Sequence, residues 1–232
     1  MKKIFYILLV TASLLQALEI YATFEVEANL HSDLHFGNQG IVREIFAQVG
    51  DKVKQGEVLA TLQNDDLKAL VHSASIAFQY AKKEYDRQFK VKNIIDGATL
   101  DAFEYKYQSA KAQLDYQQAM LNKSILKAPY SGIIVAKNIQ LGDTASSQGA
   151  SAFALETMDE SKLIVKFNAK YWKEVKRGAK FIYQVHGDEK KYEGVIIKTY
   201  PSVEKQNRMI KAEVLAKNIP TGLFGTGHIV TE

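Results

Sequence analysis

Cysteine is absent from the 232 residues, which excludes a disulfide scaffold, thiolate metal sites, cysteine nucleophiles and cysteine-linked lipid anchors. Proline occurs only three times, so long extended linkers are not expected. An excess of one charge is missing too. The formal net charge is +4 and falls to +2 when Lys2 and Lys3 are set aside with the leader described below. A chain this balanced carries no footprint for nucleic acid. No Gly-x-Ser-x-Gly elbow, phosphate loop, His-Glu-x-x-His or dinucleotide fingerprint occurs. No enzyme, catalytic residue or resident cofactor is therefore expected. What remains is 47% hydrophobic, 10% aromatic and 24% charged, the composition of a folded protein rather than a disordered tail, a collagen-like fibre or a multi-span transporter.

Met1-Lys2-Lys3 is followed by an apolar stretch, Ile4 to Leu15, interrupted only by Thr11 and Ser13. A basic start, a dozen apolar residues and the small Ala17 describe a secretory signal over residues 1–17. The stretch is shorter than the roughly 20 residues of a bilayer span. Retention as an N-terminal anchor, or a buried helix, are the alternatives; Ala22 is a second cleavage position. The mature chain then starts near Leu18 and works outside the cytoplasm, most simply in the periplasm.

An internal repeat organises the chain. Gly40-Ile41-Val42 is followed, five residues later, by Gln48-Val49-Gly50-Asp51; Gly132-Ile133-Ile134 is followed at the same spacing by Gln140-Leu141-Gly142-Asp143. Each copy reads as a strand opened by a glycine and closed by a Gly-Asp turn, in which Gly takes positive φ and Asp bonds its own backbone. Gly56 makes a further turn, and Pro129 suits a strand start or edge. Two half-motifs that cannot bury their faces alone are expected to pack on each other.

Val49-Gly50-Asp51-Lys52-Val53-Lys54-Gln55-Gly56-Glu57-Val58-Leu59 resembles the first half of a lipoyl/biotinyl-type sandwich, and Ala128-Pro129-Tyr130-Ser131-Gly132-Ile133-Ile134 the opening of the second. A carrier protein joins the halves by a short hairpin bearing its modified lysine. Here Gln63 to Ser124 intervenes and no Met-Lys-Met occurs. Split halves with a long insertion resemble the periplasmic adaptor, or membrane fusion, proteins of tripartite efflux pumps, RND type.

The insertion carries two seams of period 3.5. One steps Leu67, Val71, Ala74, Phe78, Ala81, Tyr85; the other steps Leu100, Phe103, Tyr107, Ala110, Leu114, Gln117, Leu121. They predict an antiparallel helical hairpin with arms of roughly 28 residues, about 40 Å each. Asp65 and Asp66 suit the first N-terminus, Asn93 to Gly97 the turn, and Thr99 the second cap. The family resemblance implies a docking tip of an Arg, an apolar residue four on and a small hydroxyl residue eleven on. Arg87, Val91 and Ala98 hold that spacing, with the hydroxyl displaced to Thr99.

From Lys162 onward the pattern has period two: Leu163, Val165, Phe167; Phe181, Tyr183, Val185; Val195, Ile197; Ile210, Ala212, Val214. A short helix is expected at Tyr171 to Val175, a turn at Gly225-Thr226-Gly227, and a small β-barrel overall. His31 and His35, with Asp33 between, are weak metal candidates; no metal site is otherwise expected.

The expected fold is thus mainly β with an inserted α-helical hairpin: an elongated, lipoyl-like barrel-sandwich hybrid plus a small β-barrel. The expected division is a signal peptide at 1–17, a strand leading from the barrel at 18–36, sandwich halves at 37–63 and 124–152, the hairpin at 64–123 and the barrel at 153–232. The resemblance implies a subunit linking an inner-membrane transporter to an outer-membrane channel, for export of drugs, toxic compounds or metal ions. It also implies self-association into a ring, a place in the periplasm associated with the inner membrane, and no nucleic acid. A lipoyl/biotinyl-type carrier and an adaptor of an ATP-driven exporter are the alternatives.

Overall fold

A computed structural model describes residues 18–158 and 160–231; the expected signal peptide lies outside them. The chain forms two compact units, one of Leu30–Thr157 and one of the described residues on either side. The second unit opens with β1 (Leu18–Ala28).

The Leu30–Thr157 unit holds the repeat. Its first half is β2 (His31–Leu34), β3 (Gly40–Ile45), β4 (Lys52–Val53) and β5 (Val58–Leu62); its second half is β6 (Ile125–Lys127), β7 (Gly132–Lys137), β8 (Thr144–Ala145) and β9 (Phe153–Glu156). Two four-stranded sheets result, ordered β2-β9-β7-β4 and β6-β5-β3-β8, so each mixes strands of both halves. The two turns are mirrored bond for bond. The Asp51 N–H donates to the Gln48 carbonyl (3.1 Å), and Asp143 to Gln140 (3.2 Å). The Asp51 carboxylate accepts from the Gln48 N–H, and Asp143 from Gln140, both at 2.7 Å. Gly50 (φ +93°) and Gly142 (φ +87°) occupy the third position, and Val49 and Leu141 keep negative φ, which makes both type II turns. Each turn then grips the opposite half: the Gly50 N–H donates to the Ile134 carbonyl (2.8 Å) and the Gly142 N–H to the Val42 carbonyl (2.9 Å). Leu59, Leu62, Ile134, Phe153 and Leu155 fill the core between the sheets.

Two expected boundaries move. Phe153–Glu156 pairs with β2 and β7 and belongs to the sandwich, not the barrel. His31–Leu34 likewise belongs to the sandwich, while the leading strand ends at Ala28. The motif residues mark only the central strand and turn of each half. The outer strand of each has no comparable signature.

Helices α1 (Asp65–Lys90) and α2 (Gly97–Asn122) are inserted between β5 and β6, 26 residues each. Every position of the two predicted seams is half-buried or, at Ala74, fully buried; Ser75, Gln88, Thr99 and Met120 beside them are half-buried too. Two helices cover only one stripe of each other, so neither acquires an interior. Phe78, Tyr85 and Tyr107 stack in the middle, with ring centroids 5.4–5.7 Å apart. The root is tied by buried polar groups: Asn64 Nδ2 donates to Ser124 Oγ (3.0 Å), which donates to the Leu121 carbonyl (2.7 Å). Arg43 on β3 bonds Asp65 (2.6 Å), and the Arg43 guanidinium holds that carboxyl below its usual range. The N-cap is Asn64, without a side-chain capping bond, so Asp65 and Asp66 act within the first turn.

The other unit is a closed six-stranded barrel of β1, β10 (Glu160–Asn168), β11 (Lys180–Val185), β12 (Lys191–Val203), β13 (Met209–Lys217) and β14 (Phe224–Thr231), in the order β1-β10-β13-β12-β11-β14. Ile20, Phe24, Leu163, Val165, Phe167, Phe181, Val214 and Ile229 point inward. Three readings are corrected here. Gly225 and Gly227 lie inside β14, not in a turn: a Cβ would come within 2.1 Å of the Gln184 carbonyl oxygen and 2.6 Å of the Phe24 ring at Gly225, and within 2.5 Å of the Ile182 carbonyl oxygen and 2.7 Å of the Phe181 ring at Gly227, so these glycines make room for the β11 backbone and for large aromatics. On β12 the inward residue is Ile196 (0% exposed) while Val195 is 49% exposed, because Gly194 faces in against Val214 and breaks the apolar alternation. The expected helix at Tyr171 to Val175 is instead a 3₁₀ turn at Ala169–Tyr171, capped by Asn168 accepting from the Lys170 N–H.

Candidate functional site

The hairpin tip is the part of the Leu30–Thr157 unit where side chains have no core to enter. α1 ends at Lys90, and Val91 leaves helical geometry (φ −112°) while its N–H still reaches the Gln88 carbonyl (3.0 Å). Asp96 restarts the chain as the N-cap of α2. The predicted cap, Thr99, is the recipient: its N–H (2.9 Å) and hydroxyl (2.5 Å) both donate to the Asp96 carboxylate. Asp precedes the helix in β conformation, so its oxygens face the free N–H groups, whereas Thr99 already lies within the first turn.

Arg87 sits in the last turn of α1 with a side chain 72% exposed, its nearest carboxylate being Glu84 at 3.8 Å. Val91 follows four residues on, and Ile94, at 86% exposure, is the most exposed large apolar residue described. Ala98 is exposed in the first turn of α2. Val91 caps the helix whose last turn carries Arg87, so both lie at this end of the hairpin. Thr99 does not supply a free hydroxyl beside Ala98, because Asp96 holds it. Ile94 and the partly exposed Phe89, under the Lys92 ammonium at 4.6 Å, escaped the sequence reading. The available signal was an apolar Ile94-Ile95 pair inside a turn with nothing to cover it. The tip can thus offer a planar cationic fork next to bare aliphatic surface, which suits recognition of carbonyls or carboxylates in an apolar surround.

Hydrogen bonds from the Thr99 hydroxyl, then from its N–H, hold the Asp96 carboxyl below the usual carboxylate range. A depressed folded value means the cap is intact above the unfolded value of about 3.9 and is lost as pH falls through the folded one. We expect Thr99 amide protection, corrected for intrinsic exchange, to drop below about pH 4 while mid-helix amides stay protected. Asp96→Asn should keep the protection and remove its pH dependence; Asp96→Ala should lose protection at every pH.

The weak metal candidates are not brought to one centre. His31 Nδ1 lies 3.0 Å from Glu156 Oε1 across the β2–β9 pair, and its Nε2 is 3.8 Å from Asp33. His35 follows the end of β2. Among the described residues no group of three His, Asp or Glu is arranged to hold a metal ion. The place where a carrier would present its lysine hairpin, between β5 and β6, holds α1 and α2.

Comparison with known proteins places this geometry. Residues 37–155 match the family described as the CzcB-like barrel-sandwich hybrid domain. The cobalt-zinc-cadmium resistance protein CzcB of Cupriavidus metallidurans is 27% identical over 209 aligned residues, covering 83% of this chain and 40% of that protein. The chain therefore spans less than half the length of the curated relatives it matches. Among solved structures, a MacA–MexA chimera carrying the Pseudomonas aeruginosa MexA α-hairpin domain superposes with a TM-score of 0.81 at 16% identity, over 92% of this chain and 81% of that one. ZneB of Cupriavidus metallidurans gives 0.62 at 18% identity, over 93% and 71%. At these identities the structures share the fold.

Proposed function

Because the chain belongs to the CzcB-like barrel-sandwich hybrid family of membrane fusion, or periplasmic adaptor, proteins, we propose that it serves as the adaptor of a tripartite efflux system, linking an inner-membrane transporter to an outer-membrane channel. The observation that carries this reading is the hairpin tip: a sandwich split between β5 and β6 supports two 26-residue helices whose exposed end presents Arg87, Val91 and Ile94. Adaptors would associate in a ring, since one narrow tip buries far less than the roughly 800 Å² per partner of a stable interface. The work is assembly, and energy for transport would come from the pump. The relative's name speaks of cobalt, zinc and cadmium, so metal cations stand among the proposed cargoes beside drugs and other toxic compounds. The site of action is the periplasm at the inner membrane, although no described helix is long and apolar enough to cross a membrane.

A photo-cross-linking residue at Ile94 should capture the outer-membrane channel in cells, whereas one at Lys111, midway along α2 and exposed, should not. Equal capture at both positions, or none at Ile94, would sink the tip-docking reading.

A further inference from the structure

We propose that the end of the barrel where β1 begins and β14 finishes docks on the anionic headgroups of a phospholipid membrane, through Trp172 and the cations Lys170, Lys173, Lys176 and Arg177.

Trp172 is the only tryptophan in the chain, and it is 63% exposed. Its exposure is built in. The Trp172 N–H is held by the Ala169 carbonyl (3.1 Å), and Val175 donates to the Tyr171 carbonyl (3.2 Å). Val175 is sunk in the barrel core at 3% exposure. Beyond it, the Gly178 N–H donates to Ile196 (2.8 Å). The segment is stapled on both sides of a ring that points at solvent.

Four cations crowd this short segment. Elsewhere on the barrel several lysines meet a carboxylate, Lys166 with Glu25 (2.8 Å), Lys211 with Glu204 (2.7 Å), Lys180 with Glu193 (3.1 Å) and Lys198 with Glu213 (3.6 Å), whereas among the described residues Lys190, Lys191, Lys205 and Lys217, spread over other strands and turns, do not. Among the described residues Lys170, Lys173, Lys176 and Arg177 form no ion pair, and Glu174 is the sole acidic side chain within that segment. The Lys170 and Lys173 ammonium groups lie over the Tyr171 and Trp172 rings, at 4.6 and 5.3 Å. An exposed tryptophan in one short segment with four cations suits the boundary between headgroups and acyl chains, where an indole is half-buried and Lys or Arg meets phosphate.

Position selects lipid over an acidic protein surface. Lys173, Glu174, Lys176, Arg177 and Lys180 line one concavity with Val230 and Thr231, and Thr231 pairs with Leu18. These cations therefore lie beside the start of β1. In sequence, Leu18 follows the basic Lys2-Lys3 and the apolar Ile4–Leu15 stretch by three residues, at most about 10 Å of extended chain. If that stretch is retained as an N-terminal anchor, the alternative to cleavage, it would hold this end of the barrel at headgroup depth. The inference stands apart from the adaptor reading: tip docking and lipid docking use different units and can fail separately.

The test uses the full chain and its single indole, which reports this barrel end even if the N-terminal stretch binds by itself. With vesicles of phosphatidylglycerol and phosphatidylethanolamine, Trp172 emission should move to the blue and be quenched by brominated lipid. Neutral phosphatidylcholine vesicles should leave it unshifted, and about 1 M NaCl, where the screening length falls to about 3 Å, should suppress the shift. Combining Lys173→Glu, Lys176→Glu and Arg177→Glu should raise the lipid concentration needed on the order of 100-fold or more, from about fivefold per charge. The three Gln replacements should act in the same direction, and all three sites of change are exposed, so the melting temperature should hold. An unshifted Trp172 with phosphatidylglycerol, an equal shift on neutral vesicles, or a shift that appears only when the transporter is added would overturn the proposal; the last would assign the patch to a protein.

Discussion

Replacing Arg87 with Asp should leave the protein folded and exported, yet abolish efflux-dependent resistance. The guanidinium is 72% exposed and 3.8 Å from Glu84, and exposed pairs of this kind contribute on the order of 0–1 kcal/mol to folding. Its value to association is of another order. An arginine desolvated at the centre of an interface is worth about 2 kcal/mol or more when removed, and a reversed charge adds repulsion. In a ring, every protomer carries the same lesion, so the loss multiplies around the assembly. The measurements are the melting temperature, the periplasmic level and the minimum inhibitory concentration of exported compounds. Lys111→Asp is the matched control, a charge reversal on the same hairpin away from the tip. Full efflux with Arg87→Asp would remove the tip from the docking surface, and so would a loss of efflux explained by unfolding alone.

Replacing Gly132 with Ala should damage the sandwich far more than the same change at its repeat mate Gly40. A Cβ at 132 would sit 2.1 Å from the Glu156 carbonyl oxygen, which is backbone and belongs to the paired strand β9. Relief requires β9 to move away from β7. Overpacking of this kind costs about 1–3 kcal/mol, and a backbone obstacle puts it at the upper end, a fall of roughly 10 °C or more in melting temperature for a unit this small. At Gly40 the nearest atom is the Leu62 Cδ1 at 3.2 Å, the far end of a flexible side chain. Gly50→Ala lies between them: nothing stands within 4 Å of its Cβ, and only the φ of +93° is strained, at about 1 kcal/mol. The predicted order of damage is Gly132, then Gly50, then Gly40. A reversed order, read by calorimetry on the three variants, would mean that the β7–β9 contact does not constrain the sandwich.

That order also shows what a repeat can and cannot state. Gly40 and Gly132 are equivalent in sequence. They differ in the structure because Gly132 faces a carbonyl and Gly40 a leucine. Equivalence of position follows from spacing; the cost of a methyl group depends on which atoms arrive from far along the chain.

The sequence alone determined the features whose causes are local or periodic. Gln-apolar-Gly-Asp dictates a type II turn, because Gly supplies positive φ and Asp bonds back to both the carbonyl and the N–H of the Gln three residues earlier. The two seams dictate a hairpin, because a 3.5-residue period can be satisfied only by a helical partner. Tertiary structure decided the rest. It took Phe153–Glu156 and His31–Leu34 into the sandwich through pairing across more than a hundred residues, and short strands carry no period long enough to announce a partner. It placed Gly225 and Gly227 inside a strand, since the groups that need the space are the Gln184 and Ile182 carbonyls of β11 and the rings of Phe24 and Phe181. It gave the α2 cap to Asp96 instead of Thr99, although both residue types can cap and the choice turns on where the helix starts. And it left Trp172 facing out, because Val175, three residues away, was the one the barrel core could hold.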